Sequence, residues 1–261
     1  DPDRKVPFRI VNENTPKRYL TGGDFDLESV QPIGDFLWFG EEFGPYLIKT
    51  DKSGKVLQIF ETKVDGKLVR SPDHPALTLP AAPGVVKFEV RRSKGFEGMA
   101  ASPDGKFLYP LLEGPLLTES GEPEARDGKR FLRILEFHVA KGEYTGKSFK
   151  YTLEAPANAI GDFNMIDAGT CLIIERDDTK GDPAQACKDG AVKADCFNVP
   201  AKFKRIYKID LAQADADGFV KKVGYIDLMD IQDPNKVARA GAKDGKFTFP
   251  FFTIENVDLI D

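Results

Sequence analysis

Histidine is scarce in this 261-residue chain, with only His74 and His138. A histidine-based zinc site is therefore excluded, and any general-base work falls to carboxylates or to a hydroxide generated on a metal. Cysteine is also sparse: Cys171 lies in an apolar stretch and reads as a buried thiol, and Cys187 and Cys196 have no histidines near them to complete a zinc cluster. No apolar run approaches the ~20 residues that cross a bilayer, so no membrane span is expected. Positive charge is not in excess. The net charge is −5 and no Lys/Arg stripe is interleaved with aromatic residues, which argues against nucleic acid as the main partner. A Gly-x-Ser-x-Gly elbow is missing, which excludes the usual serine-esterase arrangement. The sequence opens at Asp1 without a charged start or an apolar core, and the expectation is that any signal peptide has been removed or was not recorded.

What the chain does contain is a recurring unit. Gly95-Phe96-Glu97-Gly98-Met99-Ala100-Ala101, the turn Pro103-Asp104-Gly105-Lys106, and Phe107-Leu108-Tyr109-Pro110-Leu111-Leu112-Glu113-Gly114-Pro115 read as two strands and a tight turn, with an acid at each outer end. Glu28 to Pro45 and Asp162 to Asp178 repeat the same order, and Glu255-Asn256-Val257 starts it again. Further strand signals follow each hairpin, among them Tyr46–Asp51, Val56–Phe60, Phe131–Phe137, Ser148–Thr152, Arg205–Leu211 and Val223–Leu228. A strand is also expected over Val6–Val11, a loop over Leu77–Gly84 and a short helix or turn around Asp230–Ala240.

Four antiparallel strands per unit, repeated, predict an all-β chain and a β-propeller of four-stranded blades, incomplete in this sequence. Residues 1–261 are read as one propeller domain that is part of a longer protein. Blade repeats start near residues 24, 95 and 160, and a fourth starts near residue 254. Cys187 and Cys196 flank a polar segment whose Asp189-Gly190 can reverse the chain, so a disulfide is expected there, and with it an oxidising compartment.

At Gly23–Ser29, Trp38–Pro45, Gly95–Gly114, Ile160–Phe163, Ile173–Asp177 and Ile254–Val257 the chain resembles the phytase-like domain family, "esterase-like activity of phytase". The resemblance covers nearly the whole chain and implies a propeller, usually in an exported bacterial protein, with a metal-dependent phosphoesterase activity. It places the protein in the periplasm or outside the cell and implies a small phosphorylated substrate. Family members usually continue past the Glu255 motif and begin before residue 1, so a second piece of polypeptide is expected to complete the ring.

The acids fall at equivalent places in each repeat. Asp24, Asp26, Glu28, Glu42, Glu97, Glu113, Asp162, Glu175 and Glu255 are accordingly expected to converge on one mouth and bind Ca²⁺, which accepts six to eight oxygen ligands in flexible geometry. Asp24, Asp26 and Glu28, at alternate positions, would share one face of an extended strand. Glu97 and Glu175 are the expected catalytic carboxylates, and Arg176 is expected to clamp a phosphoryl oxygen. Asp35 and Asp104 belong to turns, and Glu41 alternates to the face opposite Glu42. The bland alternative is that these acids cap turns or pair with Lys and Arg on a solvated rim. Two other functions compete: a non-catalytic propeller that binds a protein or sugar and uses calcium structurally, and a carbon–oxygen hydrolase such as a lactonase using the same metal. Gly142–Ser148 resembles a phosphate loop but is one residue short, and Asp215–Gly218 is a fragment of a calcium loop; both read as turns.

Overall fold

The computed structural model describes residues 22–77, 86–188, 194–238 and 242–260. The Val6–Val11 strand and nearly all of the Leu77–Gly84 loop lie outside them. The chain is all-β: among the described residues the only helical turns are short 3₁₀ segments at Gly22–Asp24, Pro183–Gln185 and Leu211–Gln213. No helix among them is long and apolar enough to cross a membrane.

The first sheet runs β1 (Leu27–Ile33), β2 (Phe36–Glu41), β3 (Tyr46–Asp51), β4 (Val56–Glu61) in simple up-and-down order, followed by a two-residue hairpin of β5 (Lys63–Val64) and β6 (Lys67–Leu68). The second comprises β7 (Phe96–Ala101), β8 (Phe107–Leu112), β10 (Lys129–His138) and β11 (Glu143–Thr152), with the short β9 (Ala125–Arg126) hairpinned onto β10. The third is β12 (Ala159–Met165), β13 (Thr170–Arg176), β14 (Lys204–Asp210) and β15 (Lys221–Asp227). A small sheet of β16 (Ile231–Gln232), β18 (Lys246–Phe247) and β17 (Ala242–Lys243) comes last. The leading strands β1, β7 and β12 pack side by side, and later strands step outward from them. This is the radial stacking of propeller blades. No sheet closes on itself among the described residues.

Alternation within each strand supplies the core between blades. Trp38 stacks on Phe60 at 5.6 Å and meets Phe137 edge-on at 5.7 Å, filling the space between the first and second sheets with Leu47, Met99, Leu108 and Leu135. Between the second and third, Leu111, Ile134, Tyr151, Phe163, Ile173 and Tyr207 do the same. Truncating a ring as large as Trp38 in such a core costs about 3–5 kcal/mol.

The hairpin turns follow the local chemistry. Gly105 takes a φ of +67° and donates its N–H to Ser102 O at 2.8 Å, and the Asp104 carboxylate accepts from Ser102 Oγ and Lys106 N. Of the expected Gly142–Ser148 turn only Gly142 closes the β10–β11 hairpin, whereas Gly146 lies within β11 at a register irregularity; Asp215–Gly218 is a turn whose Asp215 accepts from Asp217 N and Phe219 N. The Asp230–Ala240 region holds a turn in its described part, with Asp233 accepting from Val237 N and Ala238 N. Asp24 departs from the expected alternation: Gly22–Asp24 is a 3₁₀ turn, and the extended strand begins only at Leu27.

Candidate metal centre

Two β-bulges aim the central acids. In β1, Leu27 pairs with Glu41 and Ser29 with Gly40, so Glu28 is the extra residue; in β7, Phe96 pairs with Leu112 and Gly98 with Leu111, so Glu97 is. An extra residue breaks the strict alternation and re-aims its side chain. Glu42 and Glu113 follow the ends of β2 and β8, on the side where the bulges lie, and Glu113 is fixed by its N–H to Gly95 O at 2.7 Å. Oxygens of Glu42, Glu97 and Glu113 come within 4.8 Å of one another, as do oxygens of Asp26, Glu28 and Glu42. Glu42 belongs to both groups, and the five acids thus form one continuous cluster.

The cluster is expensive to keep charged. Glu42, Glu97 and Glu113 are 5%, 7% and 7% exposed. Burial, followed by the charges of Glu113 and Glu42, pushes the Glu97 carboxyl up to about 9, with Arg176 pulling the other way. Burial and then Glu113 push Glu42 up to about 8 against the effect of Lys94; Glu28, exposed at the edge of the cluster, is raised to about 7 by partial desolvation and then by Asp26. Lys94 forms an ion pair with Glu113. Among the described residues Glu42 Oε1 is buried with no hydrogen-bond partner, an uncompensated acceptor of the kind that a bound cation satisfies. Glu255 contributes repulsion to Glu28.

The remaining candidates divide by register. Ile160 pairs with Glu175 as Leu27 pairs with Glu41, so Glu175 is the counterpart of Glu41 and turns into the blade. Both are fully buried. Glu175 accepts from Tyr151 OH (2.7 Å), Glu154 N (2.7 Å), Asn158 Nδ2 (2.8 Å) and Lys222 Nζ (2.9 Å), which leaves it no role at the mouth. Glu41 accepts from the N–H groups of Asp26, Phe43 and Gly44, ordering the loop that carries Glu42. The residue aligned with Glu42 and Glu113 is therefore Arg176. It is buried, pairs with Asp178 at 2.5 Å, leaves Nε without a partner among the described residues, and its charge lowers the pKa of Glu97.

In the third sheet the bulge falls to Gly161, between the Ile160–Glu175 and Asp162–Ile174 pairs. A Cβ at Gly161 would lie 1.9 Å from Ile254 O, so a glutamate cannot be accommodated there. Asp162, one residue on, accepts from Val257 N (2.9 Å), Phe163 N (2.7 Å) and Asn164 Nδ2 (3.2 Å) and tethers the fourth repeat. Neither Asp162, Asp24, Glu175 nor Glu255 belongs to either carboxylate group.

The family model described as Phytase-like: Esterase-like activity of phytase matches residues 2–261. The chain belongs to this family. A curated relative, an "Uncharacterized secreted protein" of Arthroderma benhamiae (strain ATCC MYA-4681 / CBS 112371), is 28% identical in an alignment 176 positions long that covers 57% of this chain and 33% of that protein. Solved structures with similarity include the WD40 repeats of RRP9 (13% identity, 81% of this chain and 53% of that one, TM-score 0.28). Kuenenia stuttgartiensis hydrazine synthase is another (14% identity, 78% and 55%, TM-score 0.34). The phytase-like chain thus spans a third of the curated relative's length and about half of each of these structures.

Sequence reasoning missed the basic side of this phytase-like site. Beside Glu113 lies a cleft of about 330 Å³ lined by Arg91, Lys94, Arg130, Asn158 and Asp178 among others. Lys94 was legible as the residue before the Gly95-Phe96-Glu97 motif. Arg130 was not, because it comes from β10, remote in sequence from every hairpin that carries an acid.

Proposed function

We propose that this chain contributes the active-site mouth of a calcium-dependent phosphoric ester hydrolase. The observation that carries the reading is the buried Glu42–Glu97–Glu113 group with the orphaned Oε1 of Glu42. An all-oxygen, mostly carboxylate donor set suits a hard cation with flexible coordination, and it contains none of the nitrogen or sulfur ligands that zinc favours. Asp26, Glu28, Glu42, Glu97 and Glu113 are the residues that would hold calcium, with Glu255 adding negative charge nearby. When bound, the cation supplies positive charge against phosphate oxygens and acidifies water.

The chain's own residues supply the rest. Arg176 stands opposite Glu97 with an unpartnered Nε–H, placed to donate to a phosphoryl oxygen. Lys94, Arg91 and Arg130 make the adjoining cleft positive and attract an anionic ester. Of the five acids, Glu97 is the one influenced by the charge of Arg176, and it is assigned the proton transfer to or from the reacting oxygen. Glu175 has no part in turnover. The Cys187–Cys196 disulfide is formed, and together with the relative's description as secreted it supports export of this chain to an oxidising compartment, periplasmic or extracellular.

The test is release of phosphate from 4-nitrophenyl phosphate by purified protein, abolished by EDTA and restored by calcium. Absence of turnover with every divalent metal tried would overturn the reading. A second reading, a non-catalytic propeller with structural calcium, draws on the fact that Glu42 comes from the first sheet and Glu97 and Glu113 from the second, so that a cation there also clasps two blades. Glu97→Gln separates the two, since it removes turnover in the first case and only thermal stability in the second.

A further inference from the structure

Beyond Arg176 the chain runs through residues 177–182 to a second concavity of a different character. It has a volume of about 400 Å³ and is walled by Phe197, Phe247, Pro250, Phe251 and Phe252, with Lys180 on its rim. Phe251 and Phe252 are 55% and 49% exposed, an unusual outlay of aromatic surface for two adjacent residues. Their backbone is nonetheless held. Gly181 N donates to Pro250 O at 2.8 Å, Phe249 N to Leu228 O at 2.8 Å, and the fully buried Lys204 reaches Phe252 O with Nζ at 3.3 Å. Phe249 and Phe251 are locked edge to face at 4.5 Å. Preformed apolar walls of this size, with one cation (Lys180) and one acid (Asp182) at the edge, match a one- or two-ring aromatic group.

The wall also lies close to the mouth, because the Lys204 Nζ that reaches Phe252 O also donates to the carbonyl of Asp177, the residue after Arg176, at 2.6 Å. Phe252 stands three residues before Glu255, whose charge reaches Glu28, and residues 177–180 lead from Arg176 to Lys180. We propose that this cavity binds the aromatic or similarly flat apolar group of the substrate, which makes the preferred ester an aryl phosphate and not a densely hydroxylated one. The substrate half of the proposal rests on the phosphoesterase reading, whereas the cavity's affinity for an aromatic ring does not.

Two measurements on the full chain separate them. In a fluorescence titration with 1-naphthol, which carries no phosphate, wild type should bind saturably. Phe251→Ala and Phe252→Ala should each weaken binding about tenfold and Phe251→Tyr by no more than about twofold. In steady-state kinetics Phe251→Ala should raise KM for 1-naphthyl phosphate about tenfold with kcat kept, and leave KM for glycerol 2-phosphate unchanged. No saturable naphthol binding, or binding indifferent to both alanine variants, overturns the cavity. Naphthol binding without turnover of either ester overturns the hydrolase reading and leaves the cavity standing. Equal KM increases for both esters overturn the aryl assignment.

Discussion

Glu42 and Arg176 occupy equivalent positions in the first and third sheets, each one residue past the partner of the leading apolar residue, Glu41 opposite Leu27 and Glu175 opposite Ile160. The mouth is therefore acidic where the first two blades meet and basic where the third joins. Under the proposed function the acidic part would hold the cation and the basic part a phosphate oxygen.

That parity separates two neighbours experimentally. Arg176→Gln removes a donor from the mouth and should lower kcat/KM for 4-nitrophenyl phosphate about 100-fold with little change in Tm. Glu175→Gln removes a fully buried charge that Lys222 shares with Glu154 and weakens four hydrogen bonds. It should cost about 3 kcal/mol, or roughly 6–12 °C in Tm, while kcat of the folded fraction is kept. Differential scanning calorimetry with parallel phosphate-release assays checks both; a Glu175→Gln enzyme that melts normally but does not turn over contradicts the assignment.

Calcium should raise the melting temperature. Binding at about 100 times Kd contributes about 2.7 kcal/mol, or roughly 5–10 °C for a chain of this size. Glu42→Gln should melt higher than wild type in EDTA, since it removes one of three crowded buried carboxylates, and should gain little from calcium. A wild-type Tm indifferent to millimolar calcium argues against a cation site.

The same crowding sets the pH response in EDTA. Glu97 and Glu42 have folded-state values of about 9 and about 8, both above the ordinary glutamate value. A raised folded-state pKa means that the folded protein binds the proton more tightly than the unfolded chain does. The stabilisation is therefore complete below the unfolded value near ~4.3 and is lost as pH rises through 8 to 9. In EDTA, Tm should fall by about 5–10 °C between pH 5 and pH 9. Calcium should recover most of this at the alkaline end, where the ligands are ionised. Thermal melts at stepped pH with and without calcium measure it, and a Tm that climbs towards pH 9 in EDTA would contradict it.

The strands were legible because alternation and turn residues agree locally: the hairpin around Gly105, the stacked Trp38 and the four-strand count of each blade all follow from side-chain periodicity and turn chemistry. Asp26, Glu28, Glu42, Glu97 and Glu113 were legible as an acidic group for the same reason. Glu175 lies outside the carboxylate groups because the third repeat, which its sequence aligns on its first acid, Asp162, takes its frame from the apolar Ile160. A slip of one position in a strand sends the side chain to the other face. The position equivalent to Glu28 and Glu97 is held by Gly161, and the reason is a carbonyl from the fourth repeat, Ile254 O, which no local pattern announces. Asp24 failed on backbone grounds, since Gly22 and Gly23 favour a 3₁₀ turn over an extended entry.

Gly161 also fixes how the fourth repeat is held. With a Cβ meeting Ile254 O at 1.9 Å, Gly161→Ala must push the Thr253–Val257 backbone away from β12. The displaced segment would lose the Val257 N–H to Asp162 and the Asn164 Nδ2–H to Val257 O, at 2.9 and 2.8 Å, and would carry Glu255 away from Glu28. The expected cost is about 2–3 kcal/mol. Hydrogen exchange reads the effect locally: the Val257 amide should lose protection, while amides of β2 and β3 keep theirs. Asp162→Asn keeps the backbone contact at Gly161 but weakens the acceptor, and should produce a smaller loss at the same amide. Should Gly161→Ala leave Val257 as protected as in wild type, the fourth repeat is not held against the third blade by this close approach.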